Sequence, residues 1–494
     1  MDFAAPVHAR QWLDVREAGA RGDGRTLDHH AINRAIAHVA RTGGGTVALP
    51  AGRYLCFSIR LASGVALRLA EGAVIEAADP ARHPGRYDDP EPRGEQLYQD
   101  FGHSHWHNSL IWGDGLRDVA IGGPGRIKGR GLTRNGPGSR WRAQLGERPL
   151  SMRDMSPAAI AALEPDFEAM HGQGNKAIGL RDCHGVTIEG LTIDGGGHIA
   201  VLLTGCTHVT LDRLTIDSER DGIDLDGVCD ARVTRCRVNT PNDDAIVIKS
   251  SLAMGNPMPV EDIVIRDCAV SGYDRGTMLD GRLATTQLLA PDRDGPTGRI
   301  KIGTESNGDF RDILIEDCRF YHSRGLALET VDGGVMKGVT ARRLTMDDVT
   351  SAPIFLRLGQ RGRGPAGTTI GAMQGITLAD ITATGIDHRY PLILAGLRGH
   401  PIRDVTLARI RLRYRGGGTE ADRRHVPEAL PEAYPEPSMF GTLPSWGLWA
   451  RHVAGLHVDR LTLSHDGVDA RPPVILDDVV LGKVRETPFW PESR

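Results

Sequence analysis

Two adjacent carboxylates, Asp243 and Asp244, stand directly before an apolar run in the segment NTPNDDAIVIKS. Like charges repel each other and are costly to bury, so the pair needs solvent, a metal ion or a chemical use. A third acid, Asp221, lies 22 residues upstream in SERDGIDLDG. Grouped carboxyls can cleave a glycosidic bond, because a protonated one donates to the leaving oxygen while an ionised one activates water or attacks carbon. Mutual repulsion would hold one of them protonated near neutral pH.

The spacing of these acids matches a repeat in the chain. The phrases CHGVTIEGLTID, CTHVTLDRLTID and CDARVTRCRVNT begin at Cys183, Cys206 and Cys229, at intervals of 23 residues. Each phrase contains short β-branched runs separated by Gly, Asp or Asn, which predicts short strands in a solenoid. Three strands in a coil of this length favour a parallel β-helix over a β-sandwich or a propeller. Asp221 would then lie one rung, roughly 5 Å, from Asp243 and Asp244.

The same repeat assigns a packing role to the cysteines. Three of the seven cysteines would form an inward stack of small apolar side chains, and no disulfide framework is expected.

The whole chain, residues 1–494, is predicted to form one β-helix domain with a capped N-terminal end. An amphipathic helix in LDHHAINRAIAHVARTGGG would cover the first coil, within a cap of about residues 14–50. Asp28 can cap the start of this helix, and Gly43 can end it. Its apolar face would consist of Ile32, Ala35, Ile36 and Val39. Two long excursions, about 79–173 and 415–441, are expected to flank a groove.

Composition and charge exclude several classes of function. The formal net charge is −4, so the chain lacks the basic field of a nucleic-acid-binding protein. No apolar stretch reaches the length of a membrane helix, and no membrane partner is expected. The N-terminal residues lack the basic and apolar regions of an export signal. The sequence therefore predicts a cytoplasmic protein, or a periplasmic or secreted one if a signal lies outside this numbering.

Several segments resemble the polygalacturonase family, glycoside hydrolase family 28. They are DVREAGARGDGRTLDHHAINRAI, GGGTVALPAGRYL, GPGRIKGRG and RDGIDLDG followed by NTPNDDAIVIKSS, in the family's order from about Asp14 to at least Thr340. The resemblance implies a right-handed parallel β-helix and inverting hydrolysis of pectic α-glycosides without a metal or cofactor. It also implies that Asp244 is the general acid, while Asp221 and Asp243 hold the attacking water.

The chain departs from the family pattern at three places. Glu219 and Arg220 stand where the family has Asn-Thr, and no His occurs near Thr297-Gly298-Arg299, where a Gly-His-Gly signature is expected. The family's Arg-Ile-Lys, which holds a galacturonate carboxylate, aligns with Ala327-Leu328-Glu329. An anionic Glu329 would repel a uronate and suit the hydroxyls of a neutral sugar. The expected substrate is therefore rhamnogalacturonan or a pectin side chain rather than plain polygalacturonan.

Other groups are predicted to line the groove. Arg299 and Lys301, on the rung before Glu329, and Arg357, one coil later, could hold a uronate in another subsite. Lys249 is interpreted as a groove lysine or a solvated strand end, and His198 as a sugar contact or a turn residue. Aromatic residues near the C-terminus, Phe440, Trp446 and Trp449, are interpreted as structural rather than sugar-stacking.

Three alternatives remain open at this stage. The acidic cluster could bind calcium, since hard cations prefer oxygen ligands. The enzyme could be a β-helix polysaccharide lyase, and the protein could be a non-catalytic, carbohydrate-binding β-helix. The length of the excursions further suggests a groove closed at one end and therefore action on chain termini.

Overall fold

The computed structural model describes residues 11–92, 98–138, 156, 158–159 and 166–487. Thirty-three strands in this part of the chain wind into a solenoid in which every strand pairing is parallel. Three strand positions in each coil build three long sheets. The predicted right-handed parallel β-helix is thus confirmed as the fold.

The sheets are named here from the position of the carboxylates. The site sheet contains Ile59–Arg60, Ser109–Asp114, Lys176–Arg181, Ile199–Thr204, Asp221–Asp226, Ile246–Ser250, Ile300–Ser306, Leu326–Thr330, Ile354–Leu358, Leu392–Ala395 and the start of Leu448–His465. The second sheet contains Gln11–Asp14, Gly45–Leu49, Val65–Leu69, Arg117–Gly122, His184–Glu189, Thr207–Asp212, Cys229–Thr234, Val260–Arg266 and Phe310–Glu316. The third sheet contains Asp23–Leu27, Gly52–Cys56, Ala73–Ala77, Arg126–Lys128, Thr192–Asp194, Thr215–Asp217, Arg237–Asn239, Ala269–Ser271 and Arg319–Ser323. The long strands Val335–Val349, Ala372–Ile386 and Ile402–Tyr414 continue both the second and the third sheet, and Val474–Arg485 pairs with Leu448–His465.

The core is a set of apolar ladders along the solenoid axis. Ile178, Val201, Ile223, Ile246 and Ile300 occupy one register position on successive rungs, and all are fully buried. Burial of each such side chain stabilises the fold by roughly 1.5–3 kcal/mol. Since side chains alternate along a strand, the intervening positions face outward and are free to carry the polar groups of a groove.

The predicted cysteine stack is only partly correct. Cys183 and Cys206 are buried and stacked, but the register pairs Thr207 with Cys229, so Val228 takes the next inward position. Cys229 is only half-buried because it lies one residue beyond that position. A second inward ladder contains Cys236, Cys268 and Cys318. All seven cysteines are free thiols.

Helix α1, His29–Arg41, covers the first coils as predicted, with Ile32, Ala35, Ile36 and Val39 buried. The expected Asp28 cap is wrong, because the Asp28 carboxylate instead accepts the backbone N–H groups of Arg21 and Gly22. The other α-helices with described boundaries are Thr277–Asp280 and Glu420–Arg423, each only one turn long. In the described ranges no helix combines the length and apolarity needed to cross a bilayer.

The long excursion predicted at 79–173 is interrupted by a complete coil. Ser109–Asp114, Arg117–Gly122 and Arg126–Lys128 each join one of the three sheets, because Ile111, Ile121 and Ile127 continue the core ladders. Part of the remaining excursion lies outside the described residues. The excursion at 415–441 is present, since the chain has no strand between Tyr414 and Leu448.

A left-handed residue recurs at one register position near the start of the second-sheet strands. Asp118, His208, Asp230, Asp262 and Asp312 have φ angles between 52° and 57°. Equivalent glycines occur elsewhere in the ladder, for example Gly185. Asp, Asn, His and Gly adopt this conformation more readily than other residues, which agrees with the aspartates, His208 and the glycines at these positions.

Candidate active site

The structure brings the three predicted carboxylates together. Asp221 begins a strand of the site sheet, and Asp243 and Asp244 occupy the turn before the next strand, Ile246–Ser250. The Gly222 N–H donates to the Asp244 carbonyl at 3.0 Å, and the Asp244 N–H donates to Asp221 Oδ1 at 3.2 Å. One oxygen of each carboxylate lies within 4.8 Å of the other two. The 22-residue spacing has therefore placed the acids on neighbouring rungs.

Asp221 is the carboxyl that most favours its protonated form. Burial, followed by the negative charges of Asp224 and Asp243, raises its pKa well above the usual range. Lys249 opposes this shift only weakly, since its Nζ lies 3.8 Å from Asp221 but 2.9 Å from Asp224. His103 lies on the same side, with Nδ1 3.1 Å from Asp224.

Asp243 is the most exposed member of the three. Arg220 donates to its Oδ2 from Nε at 3.0 Å and from Nη2 at 2.9 Å. Burial alone would raise the pKa of Asp243, but the Arg220 charge outweighs it and holds the pKa below the usual range. One carboxylate oxygen of Asp243 lies within 4.8 Å of one of Asp221. Since like charges this close repel, an ionised Asp243 favours the protonated form of Asp221.

Asp244 lies between two buried cations. Arg299 Nε donates to Oδ1 at 2.6 Å, and Lys301 Nζ lies 3.4 Å from Oδ2. Although burial opposes ionisation, these two cations hold the pKa of Asp244 far below the usual range. The structure therefore does not favour the general-acid role that the family resemblance implied for Asp244.

A second acidic group occupies the next rungs of the site sheet. Glu329 is fully buried, accepts a hydrogen bond from Thr304 Oγ1 at 3.0 Å and lies 3.6 Å from Lys301 Nζ. Its other oxygen has no hydrogen-bond partner among the described residues. Burial raises the pKa of Glu329 to about 7 against the opposing charges of Lys301 and Arg299.

The 415–441 excursion closes over this part of the sheet. Glu436 receives hydrogen bonds from both terminal nitrogens of Arg299, at 3.0 and 2.6 Å. Tyr434 contacts Thr304 through its hydroxyl at 3.3 Å and packs its ring 5.5 Å from Lys301 Nζ. Both cations that could have held a uronate, Arg299 and Lys301, are thus already paired with carboxylates of the protein.

Two further predicted ligands are buried beside the carboxylates. Lys249 is packed between Asp224 and His103, so its alternative interpretation as a solvated strand end is wrong. His198 is also buried, with Nδ1 2.9 Å from the Arg134 carbonyl and Nε2 without a hydrogen-bond partner among the described residues.

Arg357 does not face an open groove. Its Nη2 donates to the carbonyls of Ala429 and Leu430, at 2.9 and 3.0 Å, and its guanidinium packs on Phe440. The predicted substrate contact is corrected to an anchor for the 415–441 excursion, because that excursion folds back over the strand. The aromatic residues Phe440, Trp446 and Trp449 are buried, which agrees with their structural interpretation.

Sequence reasoning missed several groups that touch the site. His103, Tyr434 and Glu436 come from the two excursions, and Arg220 was noted only as a departure from the family pattern. The signal for the first three was present, since both excursions had been expected to flank the groove. Repeat spacing cannot align them with the rungs, because they lie outside the repeat.

The charge balance argues against a calcium site. Two groups have metal-ligand geometry: His103 with Asp221 and Asp224, and the three carboxylates Asp221, Asp243 and Asp244. Lys249 already contacts the first group, while Arg220, Arg299 and Lys301 contact the second. These fixed cations would repel a divalent ion at short range. The arrangement instead suits carboxyl chemistry, with one acid that favours its protonated form and one stably ionised acid.

Comparisons with known proteins agree with the predicted resemblance. Residues 12–68 match a family described as rhamnogalacturonase A/epimerase, pectate lyase-like, and residues 166–281 match the right-handed β-helix region. A probable polygalacturonase from Vitis vinifera is 24% identical over 428 residues, which cover 82% of this chain and 74% of that protein.

Two solved structures share the fold over nearly the whole chain. An exopolygalacturonase from Thermotoga maritima superposes with a TM-score of 0.61, at 19% identity and 92% coverage of both chains. A family 28 exopolygalacturonase from Yersinia enterocolitica gives a TM-score of 0.63, at 17% identity, covering 96% of this chain and 78% of the other. The resemblance to the polygalacturonase family is confirmed by the sequence relative, and the β-helix by the structures.

Proposed function

We propose, for a chain that resembles polygalacturonases in sequence and shares their β-helix fold, that the protein is a glycoside hydrolase acting on a pectic saccharide. The observation that carries the proposal is the set of Asp221, Asp243 and Asp244 within 4.8 Å of one another, in contrasting charge environments. Hydrolysis of a glycoside needs both a proton donor and an ionised carboxylate. The two kinds of environment are supplied by neighbouring rungs of one sheet.

The proton is assigned to the pair of Asp221 and Asp243. Asp221 stores it, because burial and like charges favour its protonated form. Asp243 is more exposed than Asp221 and has a carboxylate oxygen within 4.8 Å of it, so it takes over the proton and delivers it to the glycosidic oxygen. Arg220 then stabilises the carboxylate that remains on Asp243.

Asp244 is assigned to the attacking water. It stays ionised between Arg299 and Lys301, and its oxygen lies within 4.8 Å of the other two acids. A single water can span that distance with two hydrogen bonds of about 2.8 Å. Direct attack by this water would invert the anomeric centre. Inverting enzymes usually separate their two carboxyls by roughly 6.5–9.5 Å, so the stereochemistry needs its own measurement.

The first experiment measures release of reducing ends from polygalacturonan, rhamnogalacturonan fragments and neutral α-linked glycosides. Asp243→Asn should lower kcat by roughly 10²–10⁴-fold, because loss of general acid catalysis costs that much. The exposed Asp262 supplies a matched control, and Asp262→Asn should leave kcat unchanged. Proton NMR of the first product should show the inverted anomer, whereas a retained anomer would make Asp244 a nucleophile.

Two other results would contradict the hydrolase proposal. Unsaturated products that absorb ultraviolet light would identify a lyase, which abstracts a proton instead of adding water. Saccharide binding without turnover, undiminished in Asp243→Asn, would identify a carbohydrate-binding β-helix.

Glu329 supports the finer proposal that the unit nearest the acids is neutral, as in rhamnogalacturonan or a pectin side chain. Arg299 is already paired with Asp244 and Glu436, and Lys301 lies 3.4 Å from Asp244 and 3.6 Å from Glu329. A uronate placed there would meet protein carboxylates rather than free cations. Its relative acceptance should worsen as Glu329 ionises, above pH of about 7.

The ratio of kcat/KM for polygalacturonan to that for a neutral substrate tests this point. In the wild type the ratio should fall as pH rises from 6 to 8, and in Glu329→Gln it should stay flat over the same range. A rising ratio in the wild type, or efficient cleavage of polygalacturonan at pH 8, would overturn the neutral-unit proposal.

A further inference from the structure

A basic cleft opens beside the catalytic carboxylates, toward the N-terminal end of the solenoid. Its volume is about 410 Å³. It lies where the third sheet turns toward the site sheet. The charged groups that line it on these turns are Lys128, Arg130, Arg134, Asp194, Glu219 and Arg275.

Four ion pairs account for most of the charge in this cleft. Arg275 lies 3.2 Å from Asp194 and 3.7 Å from Glu219, which also lies 3.5 Å from Arg134. At the outer edge Arg53 pairs with Glu76 at 2.5 Å. All three acids of the lining are therefore committed to arginines.

Lys128 and Arg130 supply the excess positive charge. The register places Lys128 between Glu76 and Asp194, but no carboxylate of the described ranges lies within ion-pair distance of its Nζ. Arg130 is exposed and, within the same ranges, forms no side-chain ion pair or hydrogen bond. Two cations are thus free to bind an anionic ligand in a concave site.

The wall of the cleft contains backbone in place of side chains. Gly195 has a φ of 82°, and a Cβ at this position would lie 2.6 Å from Arg275 Nη2. The glycine is therefore needed both for its left-handed conformation and to keep space for that guanidinium. A saccharide ring could approach the backbone closely at such a position.

The cleft is joined to the catalytic rung by direct contacts. Asn242, next to Asp243, donates to Glu219 Oε2 at 3.1 Å, and Glu219 precedes the Arg220 that binds Asp243. Lys128, Asp194, Asp217 and Asn239 occupy one register position on successive rungs. Three rungs correspond to roughly 14 Å, so one saccharide chain could occupy the cleft and the catalytic site together.

We propose that this cleft is a subsite for a carboxylate-bearing sugar unit, held by Lys128 and Arg130. The inference rests on the proposed glycoside hydrolase function and deepens it. The catalytic site has its cations neutralised and suits a neutral unit, whereas the cleft has an unbalanced positive charge and suits a uronate. The substrate would therefore contain both neutral and acidic units, with the acidic one bound N-terminal to the scissile bond along the solenoid.

Isothermal titration calorimetry with an inactive protein tests the subsite. In the Asp243→Asn background, a galacturonate trimer should bind with an affinity that falls about tenfold in Lys128→Gln/Arg130→Gln. Raising the salt from 50 to 500 mM should weaken binding to the parent protein more than to the double variant, because screening acts on the two exposed cations. A neutral α-linked glucose trimer should bind both proteins equally.

The exposed Lys337 on the second sheet provides the matched control, and Lys337→Gln should bind the galacturonate trimer with the affinity of the parent. An unchanged affinity in the double variant, or an equal loss for the neutral trimer, would overturn the subsite. Thermal unfolding of each variant, with a Tm equal to that of the parent, would establish that the fold is intact. Failure of the hydrolase proposal would be seen separately, as absence of product from the unmutated protein.

Discussion

At the scale of single residues, the three catalytic candidates differ in charge because of their neighbours. Asp221 is surrounded by acids, Asp243 faces Arg220, and Asp244 lies between Arg299 and Lys301. The repeat spacing was enough to predict that the acids meet. Their protonation could not be predicted, because Arg299 comes from the coil after a long connection and its contact with Asp244 depends on side-chain direction.

Lys176 is a single residue whose buried charge lowers the free energy of unfolding. It lies on the site sheet two rungs before Asp221, is fully buried and donates to Asn175 Oδ1. Burial lowers its pKa to about 7, against weak opposition from Glu91. The unfolded chain would bind this proton up to a pH of about 10.4, so the residue destabilises the fold most strongly below pH 7.

Lys176→Met should therefore raise the free energy of unfolding at pH 6 by on the order of a few kcal/mol. The gain should shrink as pH rises from about 7 toward 10, since the wild-type lysine then folds without its proton. Urea denaturation at pH 6 and pH 9.5 measures both values, with the exposed Lys337→Met as control. A gain that grows with pH would contradict the assigned pKa direction.

At the scale of elements, the turns depend on residues that accept a left-handed backbone. Asp262 has a φ of 57°, is exposed and occupies the ladder position shared with Asp230 and Asp312. Asp262→Asn and Asp262→Gly should change the free energy of unfolding by less than about 0.5 kcal/mol, because both residues adopt this conformation readily. Asp262→Val should cost about 1–2 kcal/mol, since a β-branched side chain is strained there.

Glu261→Val, one residue earlier on the same strand, is the matched control because Glu261 is not among the residues with a left-handed backbone. It should stay within about 0.5 kcal/mol of the wild type in the same urea denaturation. An equal loss from both valine substitutions would mean that exposure of the new side chain, rather than backbone strain, destabilises the strand.

The sequence predicts a helix or a coil best where a single hydrophobic or spacing pattern determines it. The apolar face is enough to predict helix α1, but it cannot show that the Asp28 carboxylate binds the N–H groups of Arg21 and Gly22, which lie seven and six residues earlier in the chain. The coil at Ser109–Lys128 was missed because its flanking segments are polar and irregular. Cys229 was misplaced because the coil from Cys206 to Val228 is one residue shorter than the cysteine spacing.

At the scale of the whole molecule, the solenoid was predictable because its order is almost one-dimensional. Each coil contacts only its neighbours, so a 23-residue period was sufficient to place residues that lie far apart in sequence. The excursion at 415–441 breaks this rule, because Glu436 reaches Arg299 across 137 residues. The repeat therefore predicts the groove residues that lie on the strands, but not those that the 415–441 excursion contributes.

The rung spacing also fixes the axial distances between binding positions along the solenoid. Lys128 of the basic cleft lies three coils from Asn239, just before the Asp243 and Asp244 pair, and each coil adds about 4.8 Å. A point substitution can change which group a binding position accepts, but it leaves the distance between the binding positions unchanged. Duplication or loss of one complete coil would change that distance by one rung. The scaffold would then fit a longer or shorter saccharide.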